Sequence, residues 1–246
     1  MIIIITISGV IGSGKSSITE ILSQELGTKA FYEPVQNNPI LPMFYHGNKM
    51  VEEGKWETNP YAFELQIYYV SKRFDMLKQA VQEDNNILDR SIYEDEIFMR
   101  MNVEQGHATE EEWKVYKDLL NTMMEEYPNF SPYKKAPDLM VLIKVDYDTM
   151  VSRIKKRGRA FEQIDYDPSL VQYYHDLIEH YEKWEKEYDA SPLLVIDGTK
   201  YDFIESIQDR NIVLDTIEEK LVDLGSLSSK KVELLKQRRQ DRKSVV

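Results

Sequence analysis

The fold is decided near the amino terminus, where residues 2–27 read IIIITISGVIGSGKSSITEILSQELG. The run Ile2–Ile7 is β-branched and apolar on both faces, which predicts a strand buried on both sides in a parallel sheet. Residues 15–26 carry apolar side chains at helical spacing and stop at Gly27, which predicts a helix. A glycine-rich loop joins the two, and this strand–loop–helix order is typical of α/β proteins.

The loop itself, Gly9–Ser16, fits the pattern G-x-x-x-x-G-K-[ST] without a mismatch. Its glycines let backbone N–H groups point at β- and γ-phosphates, and the helix that follows adds its positive dipole. Lys15 supplies a mobile positive charge, and Ser16 supplies a hydroxyl for Mg²⁺. The stretch therefore predicts a nucleoside triphosphate site. Its candidate ATP-binding residues are Gly9, Gly12, Ser13, Gly14, Lys15, Ser16 and Ser17.

Composition excludes several other classes of protein. The 246 residues contain 31 Lys and Arg against 43 Asp and Glu, a net charge of −12. Such an acidic chain is a poor general binder of nucleic acid, because phosphate backbones need clustered positive charge. There is no cysteine, which excludes disulfides, thiolate metal sites and thiol nucleophiles. The apolar start lacks a basic region and is too short to span a membrane, so we expect a cytoplasmic protein.

The rest of the chain alternates between strand and helix patterns. Short strand candidates recur at 29–32, 87–89, 139–145 and 193–196. Helical patterns separate them at about 61–82, 91–104, 109–126, 147–157, 168–188 and 205–223. This alternation predicts a five-stranded parallel sheet flanked by helices, with a mainly helical protein as the alternative. Residues 37–59 contain Pro, Gly and charges and are expected to form a long irregular connection.

One domain is expected over residues 1–224, followed by a basic tail over 225–246. Between Lys230 and Lys243 there are seven basic and two acidic residues. This composition favours a solvated or frayed helical extension, and a binding element is the alternative.

Polar residues directly after the predicted strands are the candidates for chemistry, since ligands of open α/β sheets lie beyond the carboxyl ends of strands. Glu33 follows the second strand, either as a general base for a hydroxyl nucleophile or as a surface glutamate at a turn. Asp89 ends the third strand and could hold Mg²⁺ through water. Arg90 could orient Glu33 and stabilise a transferring phosphoryl group. The alternative is a helix-capping Asp beside an exposed Arg.

Two further patterns suggest substrate contacts. On the helix from residue 61, the side chains of Phe63, Gln66, Val70 and Arg73 share one face and could stack on and hydrogen-bond a planar base. Residues 153–159 hold five positive charges in seven positions, which suits a cationic lid over a triphosphate. A solvated basic helix end is the alternative for that segment.

Taken together, these residues resemble the deoxynucleoside kinases, and most closely the bacterial deoxyadenosine/deoxyguanosine kinases, over about residues 3–222. The motifs that carry the resemblance are the phosphate loop, Glu33-Pro34, Asn38–Pro42, Tyr61–Gln66, Asp89–Asp95 and Lys156–Glu162. The resemblance implies a three-layer P-loop kinase fold with an arginine-rich lid. It also implies ATP-dependent phosphorylation of the 5′-hydroxyl of deoxyribonucleosides for nucleotide salvage, with purines preferred. Because Asp95 can accept a hydrogen bond from the amino group of adenine, whereas the guanine oxygen would be repelled, we expect deoxyadenosine to be favoured. A homodimer, or a heterodimer with a paralogue, is implied as well.

The resemblance also assigns roles on the acceptor side. Glu33 would take the proton of the 5′-hydroxyl, and Arg90 would lie near the 5′-oxygen. Gln66 would contact the base edge, with Phe63 lining the same pocket. Arg73 and Asp95 are similar to the pair that decides which exocyclic base groups are accepted.

On the sugar and the donor side, Glu162 resembles the residue that binds the 3′-hydroxyl together with a tyrosine. The candidate lid arginines are Arg153, Arg157 and Arg159.

Two departures from the family pattern affect these assignments. The acid at position 89 is Asp where Glu is common in the family, and the bacterial purine kinases share this Asp; it is kept beside Glu33 as a candidate proton acceptor. The family has its tyrosine about eleven residues before the glutamine, where this chain has Lys55. We therefore expect an insertion of about ten residues after Tyr45, and Tyr45 rather than Trp56 as the sugar contact.

Two rival functions remain at this point. A nucleotide-dependent regulatory protein would use the same phosphate loop. It would need neither Glu33 nor the helix face that carries Phe63, Gln66 and Arg73. A nucleoside-monophosphate kinase must hold a substrate phosphate, so it would place extra arginine where this chain has Glu33.

Overall fold

A computed structural model describes residues 3–33, 38–82, 85–130 and 136–243. Its five strands form one parallel sheet in the order β2-β3-β1-β4-β5. The strands are β1 (Ile4–Gly9), β2 (Lys29–Phe31), β3 (Asn86–Asp89), β4 (Leu139–Lys144) and β5 (Leu193–Asp197). The five-stranded parallel sheet expected from the sequence is therefore confirmed, and the mainly helical alternative is wrong.

Nine α-helices surround the sheet within the described residues. They are α1 (Lys15–Leu26), α2 (Leu41–Glu52), α3 (Pro60–Ala80), α4 (Asp95–Glu104), α5 (Glu110–Phe130), α6 (Tyr147–Arg157), α7 (Leu170–Glu187), α8 (Ile207–Asp223) and α9 (Ser229–Lys243). Two single-turn 3₁₀ helices, Ile92–Glu94 and Ala160–Glu162, precede α4 and α7. Within the same described part of the chain, no helix has both the length and the apolar character that crossing a membrane requires.

The sheet is arranged so that its central strand leads into the phosphate loop. All six residues of β1 are buried, as the run of β-branched side chains predicts for a strand covered on both faces. β1 pairs with β3 on one side, where Ile7 is in register with Asp89, and with β4 on the other. The loop after Gly9 and the residues after β2 and β3 consequently meet at one edge of the sheet.

The irregular connection expected over residues 37–59 is wrong for most of its length, because α2 occupies Leu41–Glu52. Gly47 lies inside this helix, against the side chain of Asn59: a Cβ at residue 47 would be 2.1 Å from Asn59 Oδ1. Asn59 Nδ2 donates to the Phe44 carbonyl (2.9 Å) and to Asn48 Oδ1 (2.6 Å). The glycine that weakens the helical pattern in the sequence is thus required by this close approach.

The basic tail also differs from the solvated extension that its composition suggests. Its helix α9 buries Val232 and Leu235 and packs against α8. Arg239 is only 7% exposed and donates to Glu25 at the end of α1 (2.7 Å) and to Glu218 of α8 (2.6 Å). We propose that the described part of the tail serves stability rather than binding.

Replacing Arg239 with methionine should therefore lower the free energy of unfolding by about 3–5 kcal/mol, since it leaves the buried Glu218 without this cation and removes one of the two arginines beside Glu25. Urea titration of the two proteins measures this difference. Lys231→Met, at an exposed position of the same helix, is the control and should change stability by less than about 0.5 kcal/mol. An equally small effect of Arg239→Met would contradict a stabilising role for α9.

Candidate active site

A cavity of about 610 Å³ opens at the edge of the sheet where β1, β2 and β3 end. Five cationic side chains and three carboxylates line it, so the site carries a positive excess within a chain of net charge −12. Such a local excess attracts a polyphosphate that the rest of the surface would repel. The charged lining residues are Lys15, Arg73, Arg90, Arg157, Arg159, Glu33, Asp89 and Glu162.

The phosphate loop forms one wall and depends on two tight glycine positions. Gly9 has a φ of 143°, and a Cβ there would lie 2.5 Å from the Ile143 carbonyl oxygen. Gly12 has a φ of 77°, and its Cβ would be 2.9 Å from the Met150 carbonyl oxygen. Only glycine combines these conformations with this approach to neighbouring backbone. Gly14, with a φ of 95°, precedes the first turn of α1, and Ser13 is a fully buried residue of the loop.

Lys15 begins α1 and lies along the loop. Its side chain is 7% exposed, and Nζ donates to the Val10 carbonyl at 2.7 Å. Burial, and then the nearby charge of Arg90, lower the pKa of Lys15 to about 7. A phosphate bound here would act in the opposite direction and favour the charged ammonium. Ser17 is half-buried in the same helical turn.

Asp89 lies opposite Ser16 at the end of β3. The Ser16 hydroxyl donates to Asp89 Oδ2, while among the described residues Oδ1 is buried without a hydrogen-bond partner. Burial raises the pKa of Asp89. A buried carboxylate oxygen without a donor, beside a hydroxyl, suits a hard cation that prefers oxygen ligands.

Glu33 is held between two arginines at the end of β2. It accepts a hydrogen bond from Arg73 Nη2, and its Oε2 accepts from Arg90 Nε at 3.1 Å. Burial alone would raise the pKa of Glu33, but the charges of Arg90 and Arg73 outweigh it and lower the pKa to about 2. Glu33 is therefore an ionised, oriented hydrogen-bond acceptor at physiological pH.

Arg90 adopts a left-handed backbone conformation, with a φ of 82°. Such a conformation is costly for a side chain of this size and persists only when the surroundings hold it. Here the Arg90 N–H donates to the Ile7 carbonyl (2.8 Å), Nη1 donates to the Tyr181 hydroxyl (2.9 Å), and the guanidinium lies 5.0 Å from the centre of the Phe98 ring. The turn aims Nε at Glu33.

Helix α3 forms the next wall of the cavity, and the residues that it contributes differ in part from the predicted set. Gln66 and Arg73 line the cavity as expected, together with Leu65 and Tyr69. Among the described residues that form the lining, Phe63 is not found; it packs instead against the hydrophobic cluster between α2, α3 and α5. Asp95, only 1% exposed, lies behind Arg73 and forms an ion pair with it.

The sugar-side candidates meet where α2 approaches the second 3₁₀ helix. Tyr45 lines the cavity, its ring 5.1 Å from that of Phe161, and Glu162 and Tyr173 line the cavity beside it. Burial, with the nearby Tyr173 and Glu162, raises the pKa of the Tyr45 hydroxyl. Trp56, the alternative from spacing, packs between His46 and Tyr61 instead.

The basic segment around Gly158 divides into two parts. Arg157 Nη2 and Arg159 Nη1 donate to the two oxygens of Glu162 at 2.6 and 3.3 Å, inside the cavity. Arg153 lies behind the phosphate loop, where it donates to the backbone carbonyls of Ser13 (3.1 Å) and Gly198 (2.8 Å). The structure thus brings two of the three candidate lid arginines to the site, and the third supports the loop.

Several lining residues have no counterpart in the sequence interpretation. Tyr69 could have been found, because it lies three residues after Gln66 and four before Arg73, on the same helical face. Three more, Ile11, Leu41 and Leu65, lie inside motifs that the sequence does identify, although none was assigned a role. The rest come from segments whose approach to the cavity the sequence does not reveal, and they are Tyr32, Phe44, Phe98, Asn102 and Tyr173.

Comparison with known proteins agrees with this geometry. A sequence model of the family described as deoxynucleoside kinase matches residues 5–223. The chain is 52% identical over 224 residues to a deoxyguanosine kinase of Lactobacillus acidophilus, covering 91% of this chain and 93% of that protein. It is 48% identical over 227 residues to a deoxyadenosine kinase of the same species, covering 92% and 100%.

A solved structure gives the same result. The deoxyadenosine kinase from M. mycoides with bound dCTP superposes with a TM-score of 0.68 at 29% identity, covering 88% of this chain and 100% of that one. The family match, the two close relatives and this shared fold lead to one conclusion: the chain belongs to the deoxynucleoside kinase family.

Proposed function

We propose that this deoxynucleoside kinase transfers the terminal phosphoryl group of ATP to the 5′-hydroxyl of purine deoxyribonucleosides, with deoxyadenosine preferred, in nucleotide salvage. The observation that carries the proposal is Glu33, a carboxylate fixed by Arg73 and Arg90 at the cavity edge that faces the phosphate loop. A carboxylate at this position suits a neutral alcohol as acceptor and would repel the phosphate of a nucleoside monophosphate. This disfavours the nucleoside-monophosphate kinase alternative.

In the proposed reaction the 5′-oxygen forms a bond to the γ-phosphorus while the bond from phosphorus to the β,γ-bridging oxygen breaks. Glu33 orients the hydroxyl and accepts its proton as the alcohol becomes acidic during bond formation. Lys15 stabilises charge on the donor phosphates, and Arg90 stabilises charge near the transferring group. Asp89 remains the second candidate for the proton.

Mg²⁺ is proposed to bind between Ser16 and Asp89, because Asp89 Oδ1 is a buried oxygen without a donor among the described residues. When bound, the ion would neutralise charge on the β- and γ-phosphates. The ATP phosphates are proposed to contact the backbone of the phosphate loop, with Arg157 and Arg159 closing over them. Arg153 would act by supporting the loop.

For the acceptor, Glu162 and Tyr45 are proposed to bind the 3′-hydroxyl of the sugar. Gln66 would contact the base edge, since its amide can both donate and accept. Discrimination between bases must then come from groups of fixed polarity, and Arg73 only donates while ionised Asp95 only accepts. Their ion pair holds both in one orientation. We expect deoxyadenosine to be the best substrate, deoxyguanosine and deoxycytidine weaker, and thymidine poor.

Steady-state turnover with ATP and these four deoxynucleosides tests the function. Phosphorylation of at least one of them at its 5′-position is expected. ATP binding without turnover of any nucleoside would favour the nucleotide-dependent regulatory protein instead.

Asp95→Asn tests the choice of base. The amide can donate to the guanine oxygen that a carboxylate repels, so the ratio of kcat/KM for deoxyadenosine to that for deoxyguanosine should fall by about 5- to 150-fold, the equivalent of about 1–3 kcal/mol for one buried hydrogen bond. Asp75→Asn on the exposed face of α3 is the control and should leave the ratio unchanged. A uniform loss for every nucleoside would mean that Asp95 positions Arg73 without reading the base.

We further propose a cytoplasmic dimer, formed by two copies of this chain or with a paralogue. Two similar proteins in one species, named for different bases, support the second possibility. Sedimentation of the purified chain distinguishes them, because a chain that pairs only with a paralogue stays monomeric alone.

A further inference from the structure

Glu94 is a buried carboxylate that has no role in the reaction proposed above. It connects the phosphate loop, where the donor would bind, with the Arg90–Glu33 pair, where the acceptor would bind. Glu94, at the end of the 3₁₀ helix before α4, is 0% exposed. Its Oε2 accepts from the Ser8 hydroxyl (2.5 Å) and from the Tyr181 hydroxyl (2.6 Å), and lies 3.4 Å from the Gly9 backbone nitrogen. Its Oε1 accepts from the backbone N–H of Ser91 at 2.9 Å. Burying a carboxylate is costly without such donors, and the donors here come from three places: the end of β1, the residue after Arg90, and α7.

On the acceptor side, Glu94 acts through Tyr181 of α7. A carboxylate only accepts, so the hydroxyl hydrogen of Tyr181 points at Glu94 and its lone pairs face the other way. Arg90 Nη1 donates to that same hydroxyl at 2.9 Å, and Arg90 Nε donates to Glu33. The order Glu94–Tyr181–Arg90–Glu33 is a continuous chain of hydrogen bonds that ends at the proposed proton acceptor.

On the donor side, Glu94 contacts the start of the phosphate loop. Ser8 and Gly9 are the last residues of β1, and the loop turns directly after them. One carboxylate therefore contacts both the strand end that carries the donor site and the tyrosine that holds Arg90. In-line phosphoryl transfer needs the donor and the acceptor oxygen at a fixed separation, and an error of about 1 Å can cost about 100-fold in rate.

Resting on the proposed function, we propose that Glu94, together with Tyr181, is a positioning residue for phosphoryl transfer, and that it fixes the phosphate loop relative to the Arg90–Glu33 pair. The role is distinct from the capping that Glu94 provides to its own 3₁₀ helix. A cap affects stability alone, whereas positioning affects kcat.

Glu94→Gln keeps the shape but puts an amide where an acceptor is needed. We expect kcat to fall by about 10- to 100-fold, with KM for ATP and for the nucleoside within about threefold of the wild type. Tyr181→Phe, which removes one oxygen atom from the chain of hydrogen bonds, should lower kcat by about tenfold. Because Tyr181 acts through its hydrogen bond to Glu94, which Glu94→Gln already disturbs, the double variant should be no slower than Glu94→Gln alone.

Two controls separate positioning from stability. Tyr116→Phe removes a buried hydroxyl that has no hydrogen-bond partner among the described residues, and Glu218→Gln removes a buried charge far from the cavity. Both should keep the wild-type kcat, even where thermal unfolding shows that Glu218→Gln is less stable. Unchanged kcat in Tyr181→Phe, or additive losses in the double variant, would overturn the proposal, and Tyr181→Phe decides it if Glu94→Gln does not fold. Absence of turnover in the wild type would instead contradict the proposed function itself.

Discussion

Glu33→Gln is expected to lower kcat by about 10²- to 10⁴-fold, the range for loss of a general base. The amide cannot accept the proton of the 5′-hydroxyl, and it cannot balance the two arginines that now hold the carboxylate. Binding of ATP should change little, because Glu33 lies on the acceptor side of the cavity. Single-turnover kinetics with deoxyadenosine, together with calorimetry of ATP binding, measure the two effects separately.

The low pKa of Glu33 also predicts how kcat of the wild-type enzyme depends on pH. With a pKa lowered to about 2, Glu33 stays ionised from pH 5 to pH 8, so it adds no acidic limb to the wild-type kcat profile over this range. Glu20→Gln, at an exposed position of α1, is the control and should keep full activity. If Glu33→Gln kept its kcat, the proton would have to go elsewhere, and Asp89 would become the candidate.

Lys15→Met is expected to lower kcat by about 10²- to 10³-fold and to raise KM for ATP, while KM for the nucleoside stays near its original value. Methionine preserves the buried length of the side chain but removes the ammonium, which donates to the Val10 carbonyl of the phosphate loop and lines the cavity. We expect the ammonium to stabilise the transferring phosphoryl group more strongly in the transition state than in bound ATP. The variant should therefore lose more in kcat than in affinity for ATP.

The matched control for this variant is Lys183→Met, at an exposed position of α7 outside the cavity. It should leave both kcat and KM unchanged. A Lys15→Met protein with the wild-type kcat at saturating ATP would show that the lysine contributes binding alone and no stabilisation of the transition state.

The parts of this molecule that are predictable from sequence are those that local pattern or sheet geometry determines. β1, the phosphate loop and α1 follow from a buried strand, three glycines and an amphipathic period, all within 26 consecutive residues. Glu33, Asp89 and Arg90 could be grouped because parallel strands end at one edge, whatever the helices do. Each of these inferences needs no knowledge of how distant side chains pack.

The parts that could not be predicted depend on contacts between distant residues. Gly47 weakens the helical pattern of α2, and its reason lies in Asn59, twelve positions later. Arg153 and Arg157 belong to the same basic helix end. Arg153 nevertheless lies outside the cavity, because it donates to backbone carbonyls of the phosphate loop and of the segment after β5. In the sequence Arg239 is one of several charges of a basic tail. Its buried ion pairs with Glu25 and Glu218 depend on the packing of α9 against distant parts of the chain.

Arg73 has a consequence for how such an enzyme can change its substrate. One guanidinium contacts both Glu33, the proposed proton acceptor, and Asp95, the proposed base-reading partner. A substitution that alters the choice of base therefore also alters the charge around the group that accepts the proton. We therefore expect turnover and base preference to change together during evolution toward a new nucleoside, and variants that exchange Asp95 first should be slower with their best substrate. The kcat values of variants selected in the laboratory for a new base would record that cost.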